Sequence, residues 1–324
     1  MKKTIYILAT LAVLQTGLIV TNWTGDAELQ SHSQGSRLLS FETTAADVLL
    51  IKDSENEIRL AKKDGKWLLK DGFPADGKKV DALLDKLAGL QYGLPVATSS
   101  QALSRFKVTE DTFERYLQLQ GDDGKSLSEL YLGTGAGARQ SHVRNGEQDA
   151  VYSVTLGSYD LPVSLDSWQD KELLQYEKNS VTALEIGEVK LRCEAKENKE
   201  EMCPFWQGEA LPPGTTINQE AIYEGMTTLA ALRFSQVLGR EEQPEYNLSQ
   251  PLLTLKLLFT DGDRTYSFGK IENSEDISLK VSDRDEYFSL ASHLAKPILE
   301  QFEQGTVSYN NNSSAAGENT DAEK

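Results

Sequence analysis

The sequence contains few residues of the types that hold metals or form a nucleophile and base pair. Histidine occurs three times and cysteine twice in 324 residues. Neither type recurs at the spacing of a zinc site, so we predict no metal site and no cofactor. Catalysis by a serine, histidine and aspartate would need one of these histidines, and none lies near a nucleophile-elbow motif. We therefore predict no catalytic residues.

Basic residues are scarce relative to acidic ones. Lys and Arg number 33 against 50 Asp and Glu, which gives a formal net charge of −17. A surface of this sign repels phosphate backbones, so nucleic acid is not expected as a partner. So many carboxylates make chance pairs frequent, and a hydrolase that uses a pair such as Asp160 and Asp166 is the least favoured of the functions considered.

Long uncharged apolar stretches are confined to the N-terminus. Lys2 and Lys3 precede residues 4–23, which contain no charged side chain. A helix over this stretch spans roughly 30 Å, the thickness of a bilayer core. We predict that residues 1–23 anchor the chain in a bacterial inner membrane, with the bulk of the chain periplasmic. A cleaved secretory signal is the alternative, although residues 25–27 form a poor cleavage site.

The rest of the chain predicts an α+β fold of two tandem repeated modules, each an antiparallel sheet with packed amphipathic helices. Residues 24–40 are interpreted as a tether, residues 41–178 as the first module and residues 179–304 as the second. Residues 305–324 are polar and predict a disordered tail.

The first module shows a hairpin, a Trp-bearing strand and a helix in succession. Asp64-Gly65 lies between alternating apolar residues, which indicates a tight hairpin turn. After Pro74, Asp76 is placed to cap a helix. An apolar stripe follows the cap, and we predict Trp67, Leu83 and Leu87 as core residues.

The remainder of this module predicts a short helical turn over residues 109–116 and several short strands. The Gly-rich residues 133–139 lack the Lys-Ser/Thr of a P-loop, so we interpret them as a mobile hairpin loop. His142 and Arg144 follow this loop, and we do not expect a lone strand histidine to be a site residue.

The second module repeats landmarks of the first at similar offsets along the chain. Trp206 corresponds to Trp67, and Gly269 corresponds to Gly133. A second helix, capped by Asn218, carries an inward stripe in which Ile222 and Leu229 are predicted core residues with Trp206.

The two cysteines lie in one predicted hairpin of the second module. Cys193 and Cys203 are symmetric about residue 198, so the two strands of that hairpin could bring them together. We predict a disulfide between them, and two buried thiols are the alternative.

Several of these segments together resemble the domain of unknown function 4340 family. They are the N-terminal anchor, the strand Lys66-Trp67-Leu68-Leu69, the helix after Pro74, and residues 167–174 leading into residues 181–186. The resemblance covers roughly residues 41–299 as two copies. It implies a bacterial envelope protein associated with ABC transporter components of the type linked to gliding motility, and it implies no catalytic residues.

These observations favour a non-catalytic, membrane-anchored accessory or scaffold protein. Its expected partners are the inner membrane, through residues 4–23, and the permease and ATPase subunits of an ABC transporter. The alternative is an envelope ligand-binding protein whose site lies between the two modules.

Overall fold

The computed structural model describes residues 35–194, 202–211, 214–304 and 306–309. Two compact units divide between Gln169 and Asp170, whereas the sequence places the division after residue 178. The predicted anchor, residues 1–23, lies outside the described residues. Within the described part of the chain, no helix is both long enough and apolar enough to cross a bilayer.

Unit 1 is an antiparallel sheet combined with two short helices. Its strands are β1 (Ser36–Arg37), β2 (Val48–Lys52), β3 (Glu57–Lys63), β4 (Lys66–Leu69), β5 (Gln91–Tyr92), β6 (Arg115–Gln120), β7 (Ser126–Gly137), β8 (Gln140–Asn145) and β9 (Tyr152–Val154). Its helices are α1 (Gly77–Ala88) and α2 (Ser100–Phe106). The main sheet has the order β4-β3-β2-β6-β7-β8-β9, while β1 pairs separately with β5.

The predicted hairpin and helix of unit 1 are confirmed. Asp64 and Gly65 join β3 to β4, both with positive φ. The Asp76 carboxylate accepts a hydrogen bond from Lys79 N at 3.0 Å and so caps α1. The apolar stripe of α1 is buried, and Trp67 is 4% exposed. Each leucine buried in this way stabilises the fold by about 1.5–3 kcal/mol.

The expectations for residues 109–116 and for the start of unit 1 are wrong. Residues 109–116 form no helix, because the Thr109 hydroxyl accepts a hydrogen bond from Thr112 N at 3.0 Å and closes a turn before β6. The helix of this region is α2, which the Ser99 hydroxyl caps. The folded unit also includes the end of the predicted tether, since residues 36–37 form β1 and Leu38 and Leu39 are buried.

Unit 2 is again built on an antiparallel sheet. Its strands are β10 (Val181–Ile186), β11 (Val189–Cys193), β12 (Trp206–Glu209), β13 (Thr215–Ile217), β14 (Gln236–Gly239), β15 (Leu253–Phe259), β16 (Asp263–Lys270), β17 (Ile277–Val281), β18 (Tyr287–Leu290) and β19 (Val307–Tyr309). Its helices are α3 (Gln219–Ala230) and α4 (Ser292–Leu299). The main sheet has the order β12-β11-β10-β15-β16-β17-β18-β14.

The Asn218 cap of α3 is present, with Ala221 N donating to the side-chain oxygen at 3.1 Å. Ile222, Leu229 and Trp206 are buried. Residues 306–309, within the segment predicted to be a disordered tail, belong to the fold of unit 2. β19 pairs with β13, and the Thr306 carbonyl accepts a hydrogen bond from Asn218 N. Residues 310–324 of that tail lie outside the described residues.

Candidate functional site

A cleft of about 210 Å³ lies in unit 1 beside the Gly-rich segment. Its floor comes from the end of β7 and the start of β8, and one wall comes from the turn at residues 157–159. The lining residues are Glu114, Leu132, Gly133, Gly135, Gly137, Arg139, Gln140, Ser141, Gly157, Ser158 and Tyr159. The segment that we expected to be a loop is therefore mostly strand, with its turn at residues 138–139.

Close backbone packing explains the first glycine of this segment. A Cβ atom at Gly133 would overlap the carbonyl oxygen of Phe106 and crowd that of Lys107. Gly135 has open space around it, with no atom within 4 Å of a Cβ built there. Glycine is thus required at position 133 because the backbone of residues 106–107 leaves no room for a Cβ atom. Gly135 has such room, and its lack of a side chain keeps the cleft floor open.

The wall that carries Tyr159 is fixed by Asp160. The Asp160 carboxylate accepts a hydrogen bond from Gly157 N at 2.9 Å and forms an ion pair with Lys86 at 2.7 Å. The Tyr159 ring lies over Gly157, where a Cβ would overlap it, and remains 64% exposed. Asp160 therefore stabilises the turn at residues 157–159 and so fixes the position of the Tyr159 ring.

The polar groups of the cleft suit binding better than acid–base chemistry. Among the residues that line it in the described chain, Glu114 is the only carboxylate, and its ion pair with Lys107 measures 3.1 Å. Arg139, Gln140 and the serine hydroxyls add hydrogen-bonding groups around the exposed ring. This combination can hold a small polar molecule against an aromatic face.

His142 and Arg144 are held by contacts within unit 1. His142 Nδ1 lies 3.0 Å from the Thr134 hydroxyl, and its ring lies 4.2 Å from that of Phe106. Arg144 is buried, donates from Nε to the Val108 carbonyl at 2.7 Å, and stacks 4.3 Å from the Tyr131 ring. Neither residue lines the cleft, and both stabilise the packing around β8.

Two buried tyrosines lie in register with Arg144 across the sheet, with Tyr131 opposite Arg144 and Tyr116 opposite Tyr131. Tyr116 and Tyr131 have ring centroids 5.0 Å apart. Burial raises the pKa of the Tyr116 hydroxyl, and the nearby Glu129 carboxylate raises it further. Burial also raises the pKa of Tyr131. In both cases burial disfavours the charged phenolate form.

A charged cluster in unit 2 fixes the turn between β17 and β18. Glu286 is 5% exposed and accepts hydrogen bonds from Arg240 at 3.1 and 3.3 Å, and Arg284 Nε lies 3.5 Å from its other oxygen. Lys280 donates to the carbonyls of Arg284 and Asp285, at 2.6 and 2.8 Å. Burial lowers the pKa of Lys280. Arg240 thus satisfies Glu286 and Lys280 satisfies the turn backbone, whereas Arg284 Nε is buried without a hydrogen-bond partner among the described residues.

Cys193 and Cys203 form a disulfide in unit 2, with Cα atoms 5.7 Å apart. Cys193 ends β11, and Cys203 lies just before β12.

In the part of the chain that the structure describes, no three His, Cys, Asp or Glu side chains converge as metal ligands would.

The cleft combines residues that sequence reasoning did not select. Glu114 and the adjacent residues Ser158 and Tyr159 come from two segments far apart in the chain that share no motif. The available signal is the Gly-rich segment, residues 133–139, which we interpret from the sequence as a mobile hairpin loop.

Comparison with known proteins identifies a family. The family model described as Domain of unknown function (DUF4340) matches residues 67–251. That match covers more than half of the chain and includes the Trp67 strand, the cleft and the disulfide hairpin. No curated protein and no solved structure matches the chain. The chain belongs to the DUF4340 family.

Proposed function

We propose that this chain is a non-catalytic accessory or scaffold protein of the bacterial envelope. In this proposal residues 4–23 anchor it in the inner membrane, and both units lie on the periplasmic side. The Cys193–Cys203 disulfide is the observation that carries the proposal, because structural disulfides persist in oxidising compartments and are rare in the cytosol. Lys2 and Lys3, before the uncharged residues 4–23, support the same orientation.

The partners in this proposal are the permease and ATPase subunits of an ABC transporter. The resemblance to envelope proteins associated with such components supports this choice. An accessory subunit needs a stable scaffold and an exposed surface rather than a reacting centre, and the charged groups described above in both units are largely satisfied within the fold.

We further propose that the units are two copies of one module. The order β4-β3-β2-β6-β7-β8-β9 in unit 1 has its counterpart in β12-β11-β10-β15-β16-β17-β18 of unit 2. Gly133 in β7 and Gly269 in β16 support the correspondence, because a Cβ at either would overlap a backbone carbonyl, that of Phe106 or that of Tyr246.

The experiment for the main proposal is purification of the natively expressed full chain in mild detergent. Co-purifying proteins are identified by mass spectrometry, and the N-terminus of the chain is sequenced. Recovery of a permease and an ATPase in stable ratio, with residues 1–23 intact, is the expected result. A chain that is recovered alone, or that begins near Asp26, would contradict the anchored accessory role.

A second candidate function is the binding of a small polar envelope ligand in the cleft of unit 1. The exposed ring of Tyr159 beside Arg139 and Gln140 favours it. A thermal-shift screen with envelope glycan and peptide fragments tests this function. The expected result is a rise in the unfolding temperature that Tyr159→Ala abolishes while Leu165→Ala, also at an exposed site, preserves it. A screen in which no fragment raises that temperature contradicts ligand binding.

A further inference from the structure

One loop of unit 1 exposes apolar side chains beside the point where the chain enters the fold. The Leu94 loop comprises Gly93, Leu94, Pro95 and Val96. Leu94 is 76% exposed, more than any other large hydrophobic residue that the structure describes, and Val96 is 46% exposed. Leu94 and Val96 are separated only by Pro95 in the chain, so two exposed apolar side chains occur in one short loop.

The pairing of β1 with β5 places the point where the chain enters unit 1 beside this loop. Ser36 lies opposite Tyr92 and Arg37 opposite Gln91 in antiparallel register. Because the strands are antiparallel, each residue earlier in β1 lies opposite a residue later in β5. Gly35 therefore comes beside Gly93, and the chain that arrives from the predicted anchor enters next to Leu94.

Both ends of the Leu94 loop are held by backbone hydrogen bonds. At one end Gly35 N donates to the Tyr92 carbonyl at 3.5 Å. At the other, Val96 N donates to the Val151 carbonyl at 2.7 Å, and Val151 N donates to the Ala97 carbonyl at 2.8 Å. Pro95 further restricts the backbone between them. The fold thus presents Leu94 in a defined place, with little conformational entropy left to lose on contact.

The sequence around this loop carries no charge, although Arg37 lies opposite Gln91 on the neighbouring strand. Residues 87–104 contain no Asp, Glu, Lys or Arg, in a chain of which 26% is charged. This run is the longest uncharged one after the N-terminal stretch. The rest of the chain, at a net charge of −17, would be repelled by anionic headgroups, whereas this run would not.

The length of chain before Gly35 brings this loop within reach of the bilayer. Residues 24–34 connect the predicted anchor to Gly35, and at full extension they span at most roughly 40 Å. One leucine and one valine would not hold a free protein on a membrane. A tethered loop needs little affinity, since the tether gives it a high effective concentration at the lipid surface.

We propose that the Leu94 loop is a membrane-contact element that enters the headgroup region of the bilayer in which residues 4–23 are anchored. This inference rests on the proposed function, because it requires the anchor. The lipid surface is the assigned occupant, and penetration of about 5–10 Å is the depth at which apolar side chains of interfacial segments lie. Such contact orients unit 1 on the membrane.

The test uses the full chain reconstituted in vesicles of phosphatidylethanolamine and phosphatidylglycerol. Leu94→Cys is labelled with a fluorophore whose emission reports polarity, without reductant, because Cys193 and Cys203 are bridged. Leu165→Cys is the matched control, since Leu165 is an exposed leucine, at 50%, elsewhere in unit 1. Vesicle flotation is measured on the same samples, and thermal melting of both variants verifies that they fold.

The expected result is a blue shift and quenching by lipid-borne nitroxide at position 94, with neither change at position 165. Vesicles that carry the protein while the label at position 94 stays in water would overturn the inference and leave the anchor intact. Protein that fails to float with the vesicles would overturn the anchor and the inference together. Shielding of position 94 in native membranes but not in lipid vesicles would assign the loop to a protein partner instead, which also overturns it.

Discussion

The side-chain amide of Gln219 hydrogen-bonds both backbone groups of Trp206. Its Oε1 accepts from Trp206 N and its Nε2 donates to Trp206 O, each at 2.8 Å. Trp206 begins β12, the edge strand of the sheet in unit 2, so the amide takes the place of a neighbouring strand. In unit 1 the carbonyl of Trp67 is satisfied by the backbone N–H of Ala75 at 2.9 Å.

Removing this amide should destabilise unit 2. Gln219→Met keeps the length and helix propensity of the side chain but leaves both Trp206 groups without their partner. We expect the free energy of unfolding to fall by about 1–3 kcal/mol, measured by urea denaturation. Gln236→Met, at an exposed position in β14, is the control and should change it by less than about 0.5 kcal/mol. Equal effects of the two substitutions would contradict this account.

Alanine substitution should destabilise the fold at Gly133 but not at Gly135, two positions further along β7. Gly133→Ala places a Cβ against the Phe106 carbonyl, and backbone atoms cannot move aside as a flexible side chain could. The expected loss of stability is about 1–3 kcal/mol. Gly135→Ala meets no atom within 4 Å and should stay within about 0.5 kcal/mol of the wild-type chain. Thermal and denaturant unfolding of both variants measures the difference in stability between them. Equal stability of Gly133→Ala and Gly135→Ala would contradict the close contact between Gly133 and the Phe106 carbonyl.

Alkaline pH should weaken unit 2 through Tyr266. Burial raises the pKa of Tyr266 to about 12, Arg264 acts in the opposite direction, and the Asp283 carboxylate adds to the rise. In the unfolded chain a tyrosine loses its proton near pKa 10, so between about pH 10 and 12 the unfolded state binds fewer protons. The free energy of unfolding must therefore fall as pH rises through this window, by up to about 1.4 kcal/mol per pH unit from this group.

Tyr266→Phe is the variant that tests this pH dependence. It loses the hydrogen bond in which Arg264 Nη1 donates to the Tyr266 hydroxyl at 3.2 Å, so it should be less stable at neutral pH. Its unfolding free energy should then decline less steeply above about pH 10 than that of the wild-type chain. Tyr223→Phe, whose ring is 55% exposed, controls for loss of a hydroxyl. Parallel pH profiles for wild type and Tyr266→Phe would refute the assignment.

Loss of the disulfide should destabilise unit 2. Cys193 and Cys203 are separated by 10 positions, and bridging a loop of this size stabilises a fold by about 3 kcal/mol in the chain-entropy model. The doubly substituted chain, Cys193→Ser with Cys203→Ser, should unfold at lower denaturant concentration than the oxidised wild type. Reductant should lower the stability of the wild type to a similar level and leave the variant unchanged. A wild type that is insensitive to reductant would contradict a stabilising bridge.

Local sequence signals predicted the elements that local chemistry controls. The caps at Asp76 and Asn218 and the turn at Asp64-Gly65 were found because each needs only a few neighbouring residues. Helix α2 was missed because it is short and buries only Ala102 and Leu103, which is too few for a periodic pattern.

The cleft could not be predicted in the same way. Its lining joins Glu114, the β7–β8 hairpin and the turn at Tyr159, and these meet only through the tertiary fold. The reason for Gly133 is likewise non-local, since the carbonyl that it avoids belongs to Phe106, at the end of helix α2. Read along the chain, the glycines of residues 133–139 predict a loop, whereas in the fold the segment is strand up to Gly137 and only residues 138–139 form the turn.

The most direct test of the central claim is protease access in an expressing bacterial host. Trypsin is added to intact cells and to spheroplasts, and both units are followed by immunoblotting beside a cytosolic marker. If both units are periplasmic and anchored, they are degraded in spheroplasts while the cytosolic marker survives, and before digestion the chain sediments with membranes. Survival of both units in spheroplasts until the inner membrane is lysed would place them in the cytoplasm and contradict the account.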